Sequence, residues 1–271
     1  MTRATRFPVD LGRARRSART PTQELLRPQA PLQHAARDAH HLAMGHAAPV
    51  GLGLDSSAVR ARMVERLRGE GITCEPVLQA LSMVERHRFV DSALANQAYE
   101  DTSLPIGMQQ TISRPSVVAR MLTLLFGGAS ARQSGHLGSV LEIGSGCGYQ
   151  AALLVLMARG VVSVERLRGL HEKARQNLAS HRAADLRLVH GDGRLGHAPR
   201  APYTSIIAAA GGAELPAAWL DQLAIGGRLV APVEDAARGG QVLMVVDREA
   251  AGLVQQRLDS VHFVPLKSGA E

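Results

Sequence analysis

The run Glu142-Ile143-Gly144-Ser145-Gly146-Cys147-Gly148 constrains this chain more than any other. It joins a short apolar segment, Val140 to Ile143, to an Ala/Leu-rich segment that starts at Tyr149. Glycines at this spacing let a strand turn tightly into a helix and let backbone N–H groups approach a ligand closely. A glycine triplet alone says little, but its surroundings strengthen it. The next apolar run, Val161 to Val164, ends in Glu165, and a third, Leu186 to Val189, leads to Gly191-Asp192-Gly193. Three consecutive strand ends therefore converge on one crevice, which is where open α/β sheets bind ligands.

The spacing discriminates between ligand classes. A dinucleotide site wants G-x-G-x-x-G, with a helix N-terminus facing a pyrophosphate. Here Tyr149 stands where the last of those glycines would be, and Glu142 lies two residues before the first. A carboxylate there would discourage a pyrophosphate and would suit a cation such as the methionine ammonium of S-adenosylmethionine. An acidic side chain at position 165 can accept hydrogen bonds from both hydroxyls of a ribose. S-adenosylmethionine is thus favoured over NAD.

Further strands are expected at Ser205–Ala208, Arg228–Ala231, Val242–Val246 and Val261–Val264, and helices at 149–159, 167–181 and 214–223. Strands alternating with helices give an α/β fold: a Rossmann-like, doubly wound, mainly parallel seven-stranded sheet with extra N-terminal helices. The first of those helices follows Asp55-Ser56-Ser57, with Val59, Met63 and Leu67 recurring on one face. The second starts near Pro76. A third follows Ser113-Arg114-Pro115 and stops at Gly127-Gly128. Residues 89–110 read as irregular with short extended pieces, and 129–138 as a polar loop. The expected organisation is a basic, disordered extension over 1–54 and one domain over 55–271. Within that domain, 55–138 form a helical substrate segment and 139–267 a cofactor-binding core.

Aromatic residues make up only 3% of the 271, so the core must be built from Ala, Leu, Val and Ile. The net charge of +7 is concentrated in residues 1–50, which hold eight arginines against Asp10, Glu24 and Asp38. A basic tail of that kind reflects solubility more often than nucleic-acid binding, and no specific nucleic-acid partner is expected. The two cysteines, Cys74 and Cys147, imply no disulfide framework and fit a reducing cytoplasm. No apolar run approaches the length of a membrane span. His34, His40, His41 and His46 lack the cysteine or carboxylate partners of a metal site, so no metal is expected. The chain is expected to act as a monomer.

The block from Tyr99-Glu100-Asp101 to Pro115 narrows the class. It contains Leu104-Pro105-Ile106-Gly107 and Gln110-Thr111-Ile112-Ser113-Arg114-Pro115, and it resembles the segment ahead of the glycine loop in protein-L-isoaspartate O-methyltransferases. The resemblance continues through Val140–Leu154, Val161–Leu178, Gly191–Gly196, Gln222–Pro232 and Phe263–Leu266, in order, over roughly residues 55–267. It implies methyl transfer from S-adenosylmethionine to the free carboxylate of an L-isoaspartyl residue in damaged peptides and proteins. The ester then cyclises to a succinimide that opens partly to normal aspartate, which repairs the chain. It places Ser113 at the family's active-site hydroxyl, with Thr111 and Ile112 at the junction of cofactor and substrate. Gly144, Ser145 and Gly146 would hold the methionine portion, Glu165 the ribose, and Asp192 and Gly193 the adenine side; Gln241 matches a glutamine near the site.

The residues agree with that chemistry. A carboxylate with a pKa of roughly 3.9 is already a nucleophile at neutral pH, so no general base is needed. The task is alignment, and Ser113 can orient the substrate carboxylate through one hydrogen bond. Ser113 can equally be a helix N-cap ahead of Pro115. Three departures from the family pattern stand out: Cys147 for a small hydroxyl residue, Thr204-Ser205 where an aspartate is usual, and Ala208 to Gly212 for a Thr- and Pro-bearing turn. The competing readings are a methyltransferase of the same fold with another substrate and a cofactor-binding adaptor without catalysis.

Overall fold

A computed structural model describes residues 57–179, 185–236 and 239–271. The expected extension over 1–54 and the cap at Asp55-Ser56 lie outside the described residues. The described chain begins with α1 (Ser57–Gly69), which buries Met63, Val64 and Leu67, and α2 (Glu75–Met83), which has Pro76 in its first turn and buries Val77, Leu78 and Leu81. Two 3₁₀ turns, Arg86–Phe89 and Ser92–Gln97, lead to a hairpin of β1 (Leu104–Gly107) and β2 (Gln110–Ile112). Helix α3 (Pro115–Phe126) follows and buries Val118, Met121, Leu122 and Leu125.

The core is a seven-stranded sheet in the order β5-β4-β3-β6-β7-β8-β9. Strands β3 (Ser139–Ile143), β4 (Gly160–Glu165), β5 (Leu186–His190), β6 (Tyr203–Ala208) and β7 (Leu223–Asp235) are parallel. Strands β8 (Gly240–Glu249) and β9 (Gly252–Val261) add antiparallel. The residues of β3, β4 and β6 are buried almost without interruption, because helices cover both faces of a parallel sheet and leave no face for alternating polar residues. The connecting helices are α5 (Tyr149–Val155), α6 (Arg168–Leu178) and α7 (Ala217–Gln222), each shorter than its apolar pattern suggested. Leu141 pairs with Val162 on one side and Ile206 on the other, so β3 lies where the winding of the sheet reverses direction. The crevice at the carboxyl ends of β3 and β6 is the topological switch point.

Two expectations need correction. The last strand is Gly252–Val261 and not Val261–Val264. That strand is an edge with mostly exposed side chains; Leu253 and Val254 are 41% and 51% accessible, so it lacks the apolar run by which buried strands are recognised. The apolar Val261–Val264 instead leads into one bridge between Gly211 and Pro265, and proline has no N–H with which to extend a ladder. Residues 129–138 are also not all loop: α4 (Ala129–Ser134) ends at Gly135 in the left-handed conformation (φ 73°) and buries Ala131. Among the described residues no helix is long and apolar enough to cross a membrane, and no cluster of His, Cys, Asp or Glu could hold a metal.

Candidate active site

The glycine loop leaves β3 through Gly144 (φ 89°) and Gly146 (φ 54°), conformations that a side chain would disfavour. Gly144 N–H donates to the carbonyl of Val164 at 2.8 Å, which ties the loop to the end of β4. Glu165 completes that end. Its Oε2 accepts from Gly146 N–H at 2.9 Å and its Oε1 from Leu167 N–H at 3.0 Å, so the carboxylate is fixed by two backbone donors while each oxygen keeps a further lone pair.

Two cavities abut at this loop. The larger, about 190 Å³, is bounded by Glu165 and Gly193 on the sheet side, Gln109 and Gln110 of the β1–β2 hairpin above, and Pro265 to Lys267 opposite. The smaller, about 40 Å³, is lined by Ile112, Ser113, Ser145, Cys147, Tyr149 and Gln150, among others. Both share Ile106, Thr111, Gly144, Gly146 and Ala209 as walls. The hairpin is held over them by Lys173, whose Nζ donates to the carbonyl of Ile106 at 2.9 Å. Its two-residue turn, Met108 (φ 51°) and Gln109 (φ 58°), has the geometry normally taken by Asn-Gly, here built from residues that find it costly.

Ser113 does not cap α3. The N-cap position is Arg114, and the exposed amide of the first turn is taken by Asp101: Oδ1 accepts from Ser116 N–H at 2.8 Å and Oδ2 from Ser116 Oγ at 2.7 Å. The Ser113 hydroxyl makes no hydrogen bond among the described residues, and Ser113 lines the smaller cavity. Cys147 lies beside it, buried, with burial pushing its thiol upward. It is therefore protonated at neutral pH, which suits packing and not nucleophilic attack.

A family model for protein-L-isoaspartate(D-aspartate) O-methyltransferases matches residues 58–271. The chain belongs to this family. A protein-L-isoaspartate O-methyltransferase of Methylibium petroleiphilum is 56% identical over 99% of this chain and 97% of its own length. One from Leptothrix cholodnii is 59% identical over 90% of this chain and 84% of its own. A solved protein-L-isoaspartate O-methyltransferase structure superposes with a TM-score of 0.68 at 27% identity, covering 77% of this chain and 66% of that one. A Plasmodium falciparum structure, described as a putative member bound to S-adenosyl-L-homocysteine, shares the fold with a TM-score of 0.63 at 23% identity, over 77% of this chain and 98% of that one.

Within this methyltransferase frame, Thr111, Gly144, Gly146, Glu165 and Gly193 line the larger cavity, and Ile112, Ser113 and Ser145 line the smaller. Three residues expected at the site line neither. Glu142 is fully buried beneath the loop, where Gln150 Nε2 donates to Oε1 at 3.1 Å and Ser163 Oγ lies against Oε2. Ser163 Oγ is also hydrogen-bonded to Ser145 Oγ at 2.5 Å. Burial and the nearby charge of Glu165 raise the carboxyl to about 8, against the pull of its Ser163 and Gln150 hydrogen bonds. Glu142 thus supports the loop from beneath as a neutral acid.

Asp192 is anchored to backbone in the same way as Glu165: Oδ1 accepts from Arg194 N–H at 2.8 Å and Oδ2 from Gly269 N–H at 2.7 Å, and each oxygen keeps a further lone pair. Gln241 buttresses the wall from behind. Its Oε1 accepts from Phe263 N–H at 2.7 Å, and its Nε2 packs so close to Gly211 that a methyl group there would lie 2.7 Å away. The Thr204-Ser205 departure lies at the opposite end of β6, where Thr204 Oγ1 and Ser205 Oγ donate to the carbonyl of Leu137 at 2.8 and 2.9 Å. It leaves the switch-point end of the strand untouched. Sequence reading passed over Asp101 and Arg86; neither sits in a local pattern that announces a partner more than ten residues away.

Proposed function

We propose that this chain transfers a methyl group from S-adenosylmethionine to the free carboxylate of L-isoaspartyl residues in peptides and proteins. Family membership supports the reaction, and the abutting cavities carry the assignment of roles. One cavity ends on the Glu165 carboxylate and the other on the uncommitted Ser113 hydroxyl, and the wall they share is the glycine loop.

The groups present fit an adenosyl sulfonium. The larger cavity offers a carboxylate with spare lone pairs at a strand end, where ribose hydroxyls can donate, and a wall with apolar members (Ile143, Val164, Leu170) for a base. Bound there, S-adenosylmethionine supplies an electrophilic methyl group on a good leaving group. The protein's part is geometric. Gly144 and Gly146 keep side chains out of the space that the methionine portion would take. The Ser113 hydroxyl donates one hydrogen bond to the substrate carboxylate and turns its other oxygen toward the methyl. No base takes a proton, because the nucleophile is already ionised. The hairpin and the 264–267 segment exclude water and hold the reactants in line, which is the source of most of the advantage such a site can provide.

The test is transfer of labelled methyl to a peptide pair that differs only in isoaspartate against aspartate. Label on the isoaspartyl peptide alone, released as methanol in mild base, is the expected result. A protein that binds S-adenosylmethionine yet labels neither peptide would overturn the substrate assignment in favour of an adaptor or another acceptor.

A further inference from the structure

Arg86 is 0% accessible, and it occupies a place that ordinary packing does not explain. A guanidinium withdrawn from water is expensive, and proteins usually offset the expense with a carboxylate. Among the described residues no Asp or Glu lies within ion-pair distance of it. Asp101, the acid whose field reaches it, already has both oxygens engaged by Ser116. Arg86 donates instead to three backbone carbonyls: Nε to Ala98 at 2.7 Å, and Nη2 to Ser113 at 2.8 Å and Thr102 at 3.5 Å. Its Cζ lies over the Tyr149 ring, 4.9 Å from the centroid, and Nη1 has no acceptor among the described residues.

The identity of those partners matters more than their number. Thr102 and Ser113 are the two feet of the β1–β2 hairpin, which spans Leu104 to Ile112. Tyr149 is the first residue of α5, directly after the glycine loop, and its ring meets Phe89 edge-on at 5.5 Å. One side chain therefore fixes the distance between the segment that carries Ser113 and the loop that walls the cofactor cavity. We infer that Arg86 is a positioning residue for methyl transfer, acting through the Ser113 backbone to hold the hydroxyl in line with the cavity beside Gly146. This rests on the function proposed above. A lysine cannot replace it, since a point charge lacks the planar fork that reaches diverging carbonyls while stacking on a ring.

A double-mutant cycle on the full chain tests it. Arg86→Lys is expected to lower kcat about 100-fold, the scale of a misplaced reacting group, while S-adenosylmethionine affinity by calorimetry changes less than about threefold. In a Ser113→Ala background the same change is expected to cost less than about threefold, because the hydroxyl it positions is gone. Losses that multiply in full, with wild-type turnover on the isoaspartyl peptide intact, would overturn the inference and leave the function standing. Absence of wild-type turnover would overturn the function itself. Should Arg86→Lys fail to fold, arginine-detected NMR on the wild-type protein decides. With S-adenosylhomocysteine bound, the Arg86 signals should shift when the isoaspartyl peptide is added and not with its aspartyl twin. Signals that ignore both peptides would refute the positioning role.

Discussion

Replacing Glu142 with glutamine should stabilise the protein increasingly as pH rises, and the size of the effect follows from where the carboxyl sits. It is fully buried beneath the glycine loop, and its folded pKa stands at about 8 against an ordinary value of 4.5. Between those values the folded state keeps a proton that the unfolded state has lost. Folding stability therefore falls as pH rises, by about 1.36 kcal/mol per pH unit, and is flat below 4.5 and above 8. The penalty accumulated by pH 8 is roughly 5 kcal/mol. Glutamine has nothing to ionise and reproduces the hydrogen bonds of the neutral acid. Its carbonyl can accept from Gln150, and its amide can donate to Ser163, whose hydroxyl then turns to Ser145. Urea unfolding of wild type and Glu142→Gln from pH 5 to 9 measures the difference directly. It should climb through pH 5–8 and then level off. A difference that stays constant across that window would mean that Glu142 is ionised in the folded protein, and the account of the buried network would be wrong.

Three further changes probe the site. Ser113→Ala should leave S-adenosylmethionine affinity within about twofold and lower kcat by about 10- to 100-fold, the value of one aligned hydrogen bond; steady-state kinetics beside calorimetry would check it, and an unchanged kcat would return Ser113 to a passive role. Glu165→Gln weakens an acceptor with a formal charge, so affinity for S-adenosylmethionine should fall about tenfold or more, with kcat at saturation affected less; equal affinity would remove Glu165 from the ribose. Asp101→Ala removes the cap on Ser116 and should cost about 1 kcal/mol in urea unfolding, whereas no loss would show that solvent replaces the cap freely.

The sequence by itself settled what depends on near neighbours. Glycines at 144, 146 and 148 between an apolar run and an Ala/Leu-rich run read as a tight strand-to-helix turn, because φ preference and burial pattern are local properties. The same holds for Glu165 and Gly193, each placed by the end of its own strand. The arrangement of β3 to β7 follows from alternation of strand and helix, which permits few topologies. What only the tertiary structure decided is which way a polar group spends itself. Glu142 reads as a ligand group from its spacing, yet desolvation beneath the loop turns it into a neutral support. Asp192 is drawn to Gly269 and Gln241 to Phe263, partners fixed by the return of the chain along the far wall. Ser113 stood open between cap and catalyst until Asp101, 15 residues before Ser116, was found to hold the cap. Arg86 gains meaning only when Ala98, Thr102, Ser113 and Tyr149 meet around it. Backbone conformation is set by adjacent residues, whereas the partner of a buried charge is set by whatever the fold brings within hydrogen-bond reach.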